Sequence, residues 1–176
     1  MSVGLSFEEL MEYTEWERER WRDLFAKQGD AALATKSGQN GDGRFDTIGD
    51  LIRHIFSAET RYVDRLIGRE PKDTASISSA SSEALFQFGE KSRARLRGYV
   101  QALRAAEWDA PFEFKMLKLV IRATPRKIVG HVLTHEIRHW AQIATMFRLN
   151  GLPVEFHDFL MSPVLSGEFR IEQGKA

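Results

Sequence analysis

Apolar residues recur along this chain at intervals of three and four through four separate stretches, each bounded by residues that start or stop helices. The first stretch predicts a helix from Phe7 to about Lys27. Leu10, Tyr13, Trp16, Trp21, Leu24 and Phe25 mark its apolar side, Glu15, Glu17, Arg18 and Arg20 fill the remainder, and Ser6 stands ahead of Glu8 and Glu9 as an N-cap before an acidic first turn. The second runs from about Ile48 to Leu66 on the stripe Ile48, Leu51, Ile52, Ile55, Ala58, Tyr62 and Leu66. Asp46 or Thr47 caps it, and Gly68 and Pro71 end it. The third opens at Ser81-Ser82-Glu83 and reaches about Ala106, carried by Leu85, Phe86, Phe88, Leu96, Tyr99, Val100 and Leu103; Arg93, Arg95, Arg97 and Arg104 are expected to form its basic outer surface. The fourth starts at Thr124-Pro125, with proline in the first turn, and runs to about Leu149, where Asn150-Gly151 and then Pro153 stop it.

The connections are less regular. Lys36 to Gly43 is polar and glycine-rich, a loop by composition, and Thr74 to Ser82 is a serine- and alanine-rich connector. Between Trp108 and Ala123 the alternation Phe112-Glu113-Phe114-Lys115 allows a short strand or an extended loop. In the tail, Phe156, Phe159 and Leu160 are expected to pack on the helices, and Glu172 to Ala176 to fray. With no internal repeat and no second linker in view, residues 1–176 are expected to form one all-α domain, a four-helix bundle with irregular connections.

Composition narrows the chemistry. The hydrophobic fraction of 43% supplies a core, and the 25 basic residues equal the 25 acidic ones, which disfavours a dedicated nucleic-acid binder. The chain has no cysteine, so thiolate metal sites and cysteine nucleophiles are excluded and any metal must be held by imidazole, carboxylate or water. No apolar run approaches the ~20 residues of a membrane span. The first residues lack the basic-then-apolar order of a secretion signal, so a cytoplasmic protein is expected.

Against that background the histidines stand out. His131, His135 and His139 follow one another at intervals of four in the fourth helix, and His54 lies in the second. Side chains four apart stand one above the other on one helix face, so two such imidazoles can share an ion. All three cannot: the outer two are about 12 Å apart along the axis. The pair is therefore His131/His135 or His135/His139, with His54 as the candidate third ligand; three protein ligands plus water make an open, catalytic-type site. A polar stripe on a solvated face is the competing explanation of the spacing. Glu59, five residues after His54, and Glu136, next to His135, are candidates to orient a ligand or act as general base, and Gln142 to orient a ligand or substrate. Trp16, Tyr62 and Trp140 read as core residues, with pocket lining as the alternative.

The segment His131-Val-Leu-Thr-His135-Glu-Ile-Arg-His139-Trp-Ala-Gln142-Ile143 resembles the signature of the DinB/YfiT-like superfamily, whose histidine-rich helix ends in His-Arg-Gly-Gln-Ile. Leu51 to Glu59, around His54, resembles that family's second-helix histidine segment, and Tyr13 and Trp16 fit its first helix. The resemblance implies a DinB-type four-helix bundle holding a divalent metal, zinc or nickel, through His54, His135 and His139, with His131 as a neighbour. It implies a small-molecule substrate, a low-molecular-weight thiol as possible cofactor in thiol S-transfer or a related hydrolysis, and a homodimer. Glu59 is carried as the catalytic candidate, and a non-catalytic metal- or ligand-binding bundle, a stress-linked dimer, is the alternative. The chain departs from the pattern at Trp140-Ala141, where the family has arginine and glycine.

Overall fold

The computed structural model describes residues 4–38 and 45–166. Four long helices carry it: α1 (Phe7–Gln28), α2 (Ile48–Leu66), α3 (Ser82–Ala102) and α4 (Pro125–Leu149). A two-stranded antiparallel hairpin, β1 (Phe112–Met116) and β2 (Leu119–Ala123), joins α3 to α4 in the register Phe112 opposite Ala123. The alternation at Phe112–Lys115 is thus a strand, and Leu117 turns it at φ 55°. The glycine-rich loop lies largely outside the described residues, as does the segment Glu172 to Ala176.

Each helix starts where a side chain satisfies its free N–H groups. Ser6 and Glu9 form a reciprocal capping box on α1, and Thr47, Ser81 and Thr124 accept from Asp50, Ala84 and Lys127 at the starts of α2, α3 and α4. The third helix stops at Ala102, earlier than the expected Ala106. Arg104 and Glu107 bind each other across a new single turn, Ala105–Glu107, and this local pair draws the chain out of the helix.

The apolar faces meet in two clusters. One is aromatic and holds Trp21, Phe25, Phe56, Phe86, Trp140 and Phe147; the other is mostly aliphatic and holds Met11, Val63, Leu96, Val129, Val132 and Leu133. On every long helix a buried charged residue of one shared layer falls between its contributions to the two: Arg18 on α1, Glu59 on α2, Arg93 on α3 and Glu136 on α4. Arg18 holds Glu136 with two parallel bonds of 2.6 and 2.7 Å and reaches Glu59 at 3.1 Å. Arg93 binds Glu136 at 2.7 Å, Glu59 at 3.1 Å and the Thr14 hydroxyl at 2.7 Å. Two positive charges meet two negative ones, so the layer is neutral, which burial of ions requires. Arg93 was expected on a solvated basic face; its position between Phe86 and Leu96 instead points it into this layer, while Arg95 binds the buried Asp64 of α2 and Arg97 pairs nearer the surface with Glu8 and Glu15.

Gly89 is what lets α3 come this close. A Cβ there would stand 2.8–2.9 Å from the Phe56 ring, and the Gly89 carbonyl accepts from Arg18 Nη1 at 2.9 Å. The tail also departs from expectation. Phe156 is 78% and Leu160 81% exposed, whereas Leu152, Val154 and His157 do the packing. His157 stacks on Trp21 with ring centroids 4.3 Å apart and its Nδ1 lies 3.0 Å from Glu17 Oε2, which turns the adjacent Phe156 outward. Phe159 meets the Tyr13 ring edge-on at 4.9 Å, as a packed tail requires. Among the described residues no helix is long and apolar enough to cross a membrane.

Candidate metal centre

α2 and α4 pack side by side, and this contact brings His54 against the four-residue histidine ladder. His54 Nε2 lies 3.2 Å from His135 Nε2, which lies 3.1 Å from His139 Nε2, and the three ligand atoms are all within 4.8 Å of one another. Nitrogens bound to a single zinc at ~2.0–2.1 Å, with ligand angles between octahedral and tetrahedral, stand roughly 2.9–3.4 Å apart. Three lone pairs facing one point at these separations repel unless a proton or a cation lies between them. This group could hold a metal ion.

The chemistry of the donors fits such an ion. His139 is buried, and its Nδ1 is 2.9 Å from Gln142 Oε1, one helical turn on. The amide oxygen accepts, so Nδ1 carries the proton and Nε2 keeps its lone pair for the shared point. Burial, and after it the neighbouring His139, His54, His131 and Arg138, push His135 down to about 2, so this imidazole is neutral at ordinary pH, as a ligand must be. Phe45 covers the cluster from one side, 4.5 Å from the His54 ring and 6.2 Å from that of His139.

Of the two pairings left open by spacing, the His135/His139 one carries the cluster. His131 lies one turn away, its ring centroid 5.5 Å from that of His135 and 5.0 Å edge-on from that of Tyr62. Gln142 is drawn in, as its spacing predicted. Glu59 and Glu136 are not where a proton acceptor is useful: both belong to the buried ion-pair layer. Burial alone would raise the Glu59 carboxyl, but the Arg18 and Arg93 charges outweigh it and hold it below its ordinary value. Trp140 is core, stacked between Trp21 and Phe86 with ring centroids at 5.4 and 6.4 Å, and its Nε1 donates to Glu136 at 3.0 Å.

Three residues of the site escape a reading by spacing. Phe45 approaches from a loop. Arg138 sits beside His139 with Nη2 3.3 Å from its Nε2, and Arg61 lies two turns beyond His54. Seven residues make nearly two full turns of an α-helix, so Arg61 shares the His54 face of α2, and that phase was the available signal. A cavity of about 390 Å³ opens beside His54, lined by Phe45, Asp50, Arg53, Ser57, Arg61 and Asp73 among others.

Comparison with curated proteins finds no match. The sequence model of the DinB superfamily matches residues 13–143, a span that begins at Tyr13, takes in all three candidate ligands and closes at Ile143. The match covers well over half of the sequence, and the chain belongs to the DinB superfamily.

Proposed function

We propose that this chain is a metal-dependent enzyme that holds one divalent cation, zinc or nickel, through His54, His135 and His139 and acts on a small molecule, by transfer of a low-molecular-weight thiol or by hydrolysis. What carries this is the convergence of three Nε2 atoms from two helices beside a cavity instead of inside a sealed core. Three imidazoles leave coordination positions for a substrate group, the pattern of catalytic and not of structural sites. A divalent cation held there supplies Lewis acidity, lowering the pKa of a thiol or water toward neutrality.

The chain's own residues do the rest. Gln142 fixes the proton of His139 on the nitrogen facing away from the cluster, and burial keeps His135 unprotonated. Phe45 shields one side from water. Arg18 and Arg93 each bind both Glu59 of α2 and Glu136 of α4, so the ion-pair layer bridges the two helices one residue from His135. With Glu59 held ionised by two guanidiniums, no carboxylate of that layer is assigned a proton transfer.

The test is metal content by elemental analysis of untagged protein, with a screen for thiol transfer to electrophiles. Near-stoichiometric metal, lost in His54→Ala, His135→Ala and His139→Ala and kept in His131→Ala, is the expected result. A wild-type protein that takes up none of zinc, nickel or manganese on reconstitution defeats the proposal.

A further inference from the structure

Glu17 is a buried carboxyl outside the ion-pair layer, and it accepts from three donors. The Tyr13 hydroxyl donates to its Oε1 at 3.0 Å, Trp21 Nε1 donates to its Oε2 at 3.2 Å, and His157 Nδ1 stands 3.0 Å from the same Oε2. An acceptor on that side fixes an imidazole proton on Nδ1. The ring is thus held twice, by this bond and by the face of Trp21. Its other nitrogen, Nε2, is buried and has no hydrogen-bond partner among the described residues; the side chain is only 10% exposed. A buried polar atom without a partner destabilises a fold, so such an atom in a residue that walls a cavity points to a ligand that supplies the missing bond.

Tyr13, Glu17 and His157 line a cavity of about 350 Å³, and Ile137, Ala141 and Ala144 supply its α4 wall. At 100° per residue these three stand on the flank of α4 turned away from His135 and His139, so this cavity is separate from the one beside His54. Its volume lies in the ~300–1,000 Å³ range of small-molecule sites. Phe156, which the fold leaves 78% exposed, lines it too and adds an aromatic face. Arg148 and Asp158 bring one charge of each sign to the lining, and the Glu17 oxygens are taken up by their three donors, so nothing here selects an ionised ligand.

We propose that this cavity is a second ligand site, for a neutral hydroxylated aromatic molecule whose O–H donates to His157 Nε2 and whose ring lies against Phe156 and the alanine face of α4. With its proton fixed on Nδ1, the neutral imidazole offers Nε2 as an acceptor, which is the partner a phenolic hydroxyl needs. The small side chains at Ala141 and Ala144 leave the ring its space. The site shares no residue with the histidine cluster and does not depend on a metal.

The experiment is a two-dimensional NMR titration of the full chain with phenol and with toluene, which has the same shape and a methyl group in place of the hydroxyl. The expected result is millimolar or tighter binding of phenol, about tenfold stronger than that of toluene. Shifts are expected at the cavity residues and at the His157 Nε2 resonance, and none at His54, His135 or His139. His157→Asn keeps an amide near the place of Nδ1 but removes Nε2, and is expected to bring phenol down to the level of toluene. Ala141→Leu changes an exposed helical position that lines the cavity; it is expected to keep the circular dichroism of the parent and to lose both probes. Absence of phenol binding, phenol no stronger than toluene, or shifts at the histidine cluster in place of this cavity overturns the inference. Should His157→Asn fail to fold, Ala141→Leu decides: phenol binding that survives the filled cavity overturns it as well.

Discussion

Arg18 and Glu136 are separated by 118 positions in the chain and joined by two parallel hydrogen bonds of 2.6 and 2.7 Å inside the bundle. The pair ties α1 to α4 beside His135, and it shares its charges with Arg93 and Glu59. Removing one carboxylate leaves two buried guanidiniums facing one. Glu136→Gln is therefore expected to cost about 3–5 kcal/mol in urea unfolding. Arg18→Met combined with Glu136→Gln restores one cation against one anion, and is expected to cost less than the sum of the two single changes by about 1–3 kcal/mol. Additive costs would show that the layer is not charge-coupled.

The same layer sets an acid limit. Glu59 has its carboxyl held below the ordinary glutamate value by Arg18 and Arg93, against burial. The unfolded chain therefore binds its proton at higher pH than the folded one. The stability Glu59 contributes is fully present above the ordinary value and is lost as pH falls through the lowered one. Thermal unfolding between neutral pH and strongly acid pH is expected to show a fall in Tm beginning near the ordinary glutamate range, and Glu59→Gln to flatten that part of the profile. An unchanged slope in the variant would remove Glu59 from the account.

Gln142 meets the candidate ligand His139 at its Nδ1. Replacing such a partner typically weakens metal binding 10–100-fold. Gln142→Leu is expected to lower zinc affinity by about that factor in competition with a chelating dye, with the helix content unchanged and His131→Ala indistinguishable from wild type. Equal affinities for Gln142→Leu and wild type would mean that burial alone sets the His139 tautomer.

Much of this arrangement is legible in the sequence, for a physical reason. The α2 stripe from Ile48 to Leu66 and the cap-and-stop residues of α4 express a period and an end that the backbone itself imposes, and both helices run where the pattern puts them. The histidine cluster is legible because residues four apart must share a face. The ion-pair layer is not legible from residue type: Arg93 reads as a solvated charge and Glu59 as a catalytic candidate beside the histidines. Their phase was the only clue, since Arg93 lies between Phe86 and Leu96 and Glu59 between Ile55 and Val63. The tail misleads in the opposite sense, because Phe156 looks like an anchor while His157 makes the contact, a choice decided by Glu17 and Trp21 on a distant helix.

Gly89 is a packing constraint that sequence period does not announce. An alanine Cβ at this position meets the Phe56 ring well inside van der Waals contact. Gly89→Ala gains helix propensity but must push α3 from α2 and disturb the carbonyl that holds Arg18, so a net loss of about 1–3 kcal/mol is expected. Phe56→Leu in the same chain frees the space, and the double variant is expected to lose less than the two single losses summed. Stabilisation by Gly89→Ala alone would refute the close approach.

Trp140 stands where the motif this chain resembles carries arginine, and the packing and charge around it supply a physical reason for the tryptophan. Its ring lies flat against Trp21 and Phe86 and its Nε1 fills a site on Glu136 Oε1, the oxygen that also accepts from Arg18. Trp140→Arg removes that aromatic packing, worth about 3–5 kcal/mol for truncation of a buried Trp, and sets three guanidiniums against two carboxylates. The single variant is expected to be mostly unfolded at room temperature. Adding Arg18→Leu returns the count to two against two, and the introduced guanidinium can then take up Glu136 from α4. Partial recovery of the unfolding transition in the double variant is the expected outcome. If the double variant is no more stable than Trp140→Arg alone, aromatic packing and not charge balance fixes tryptophan at this position.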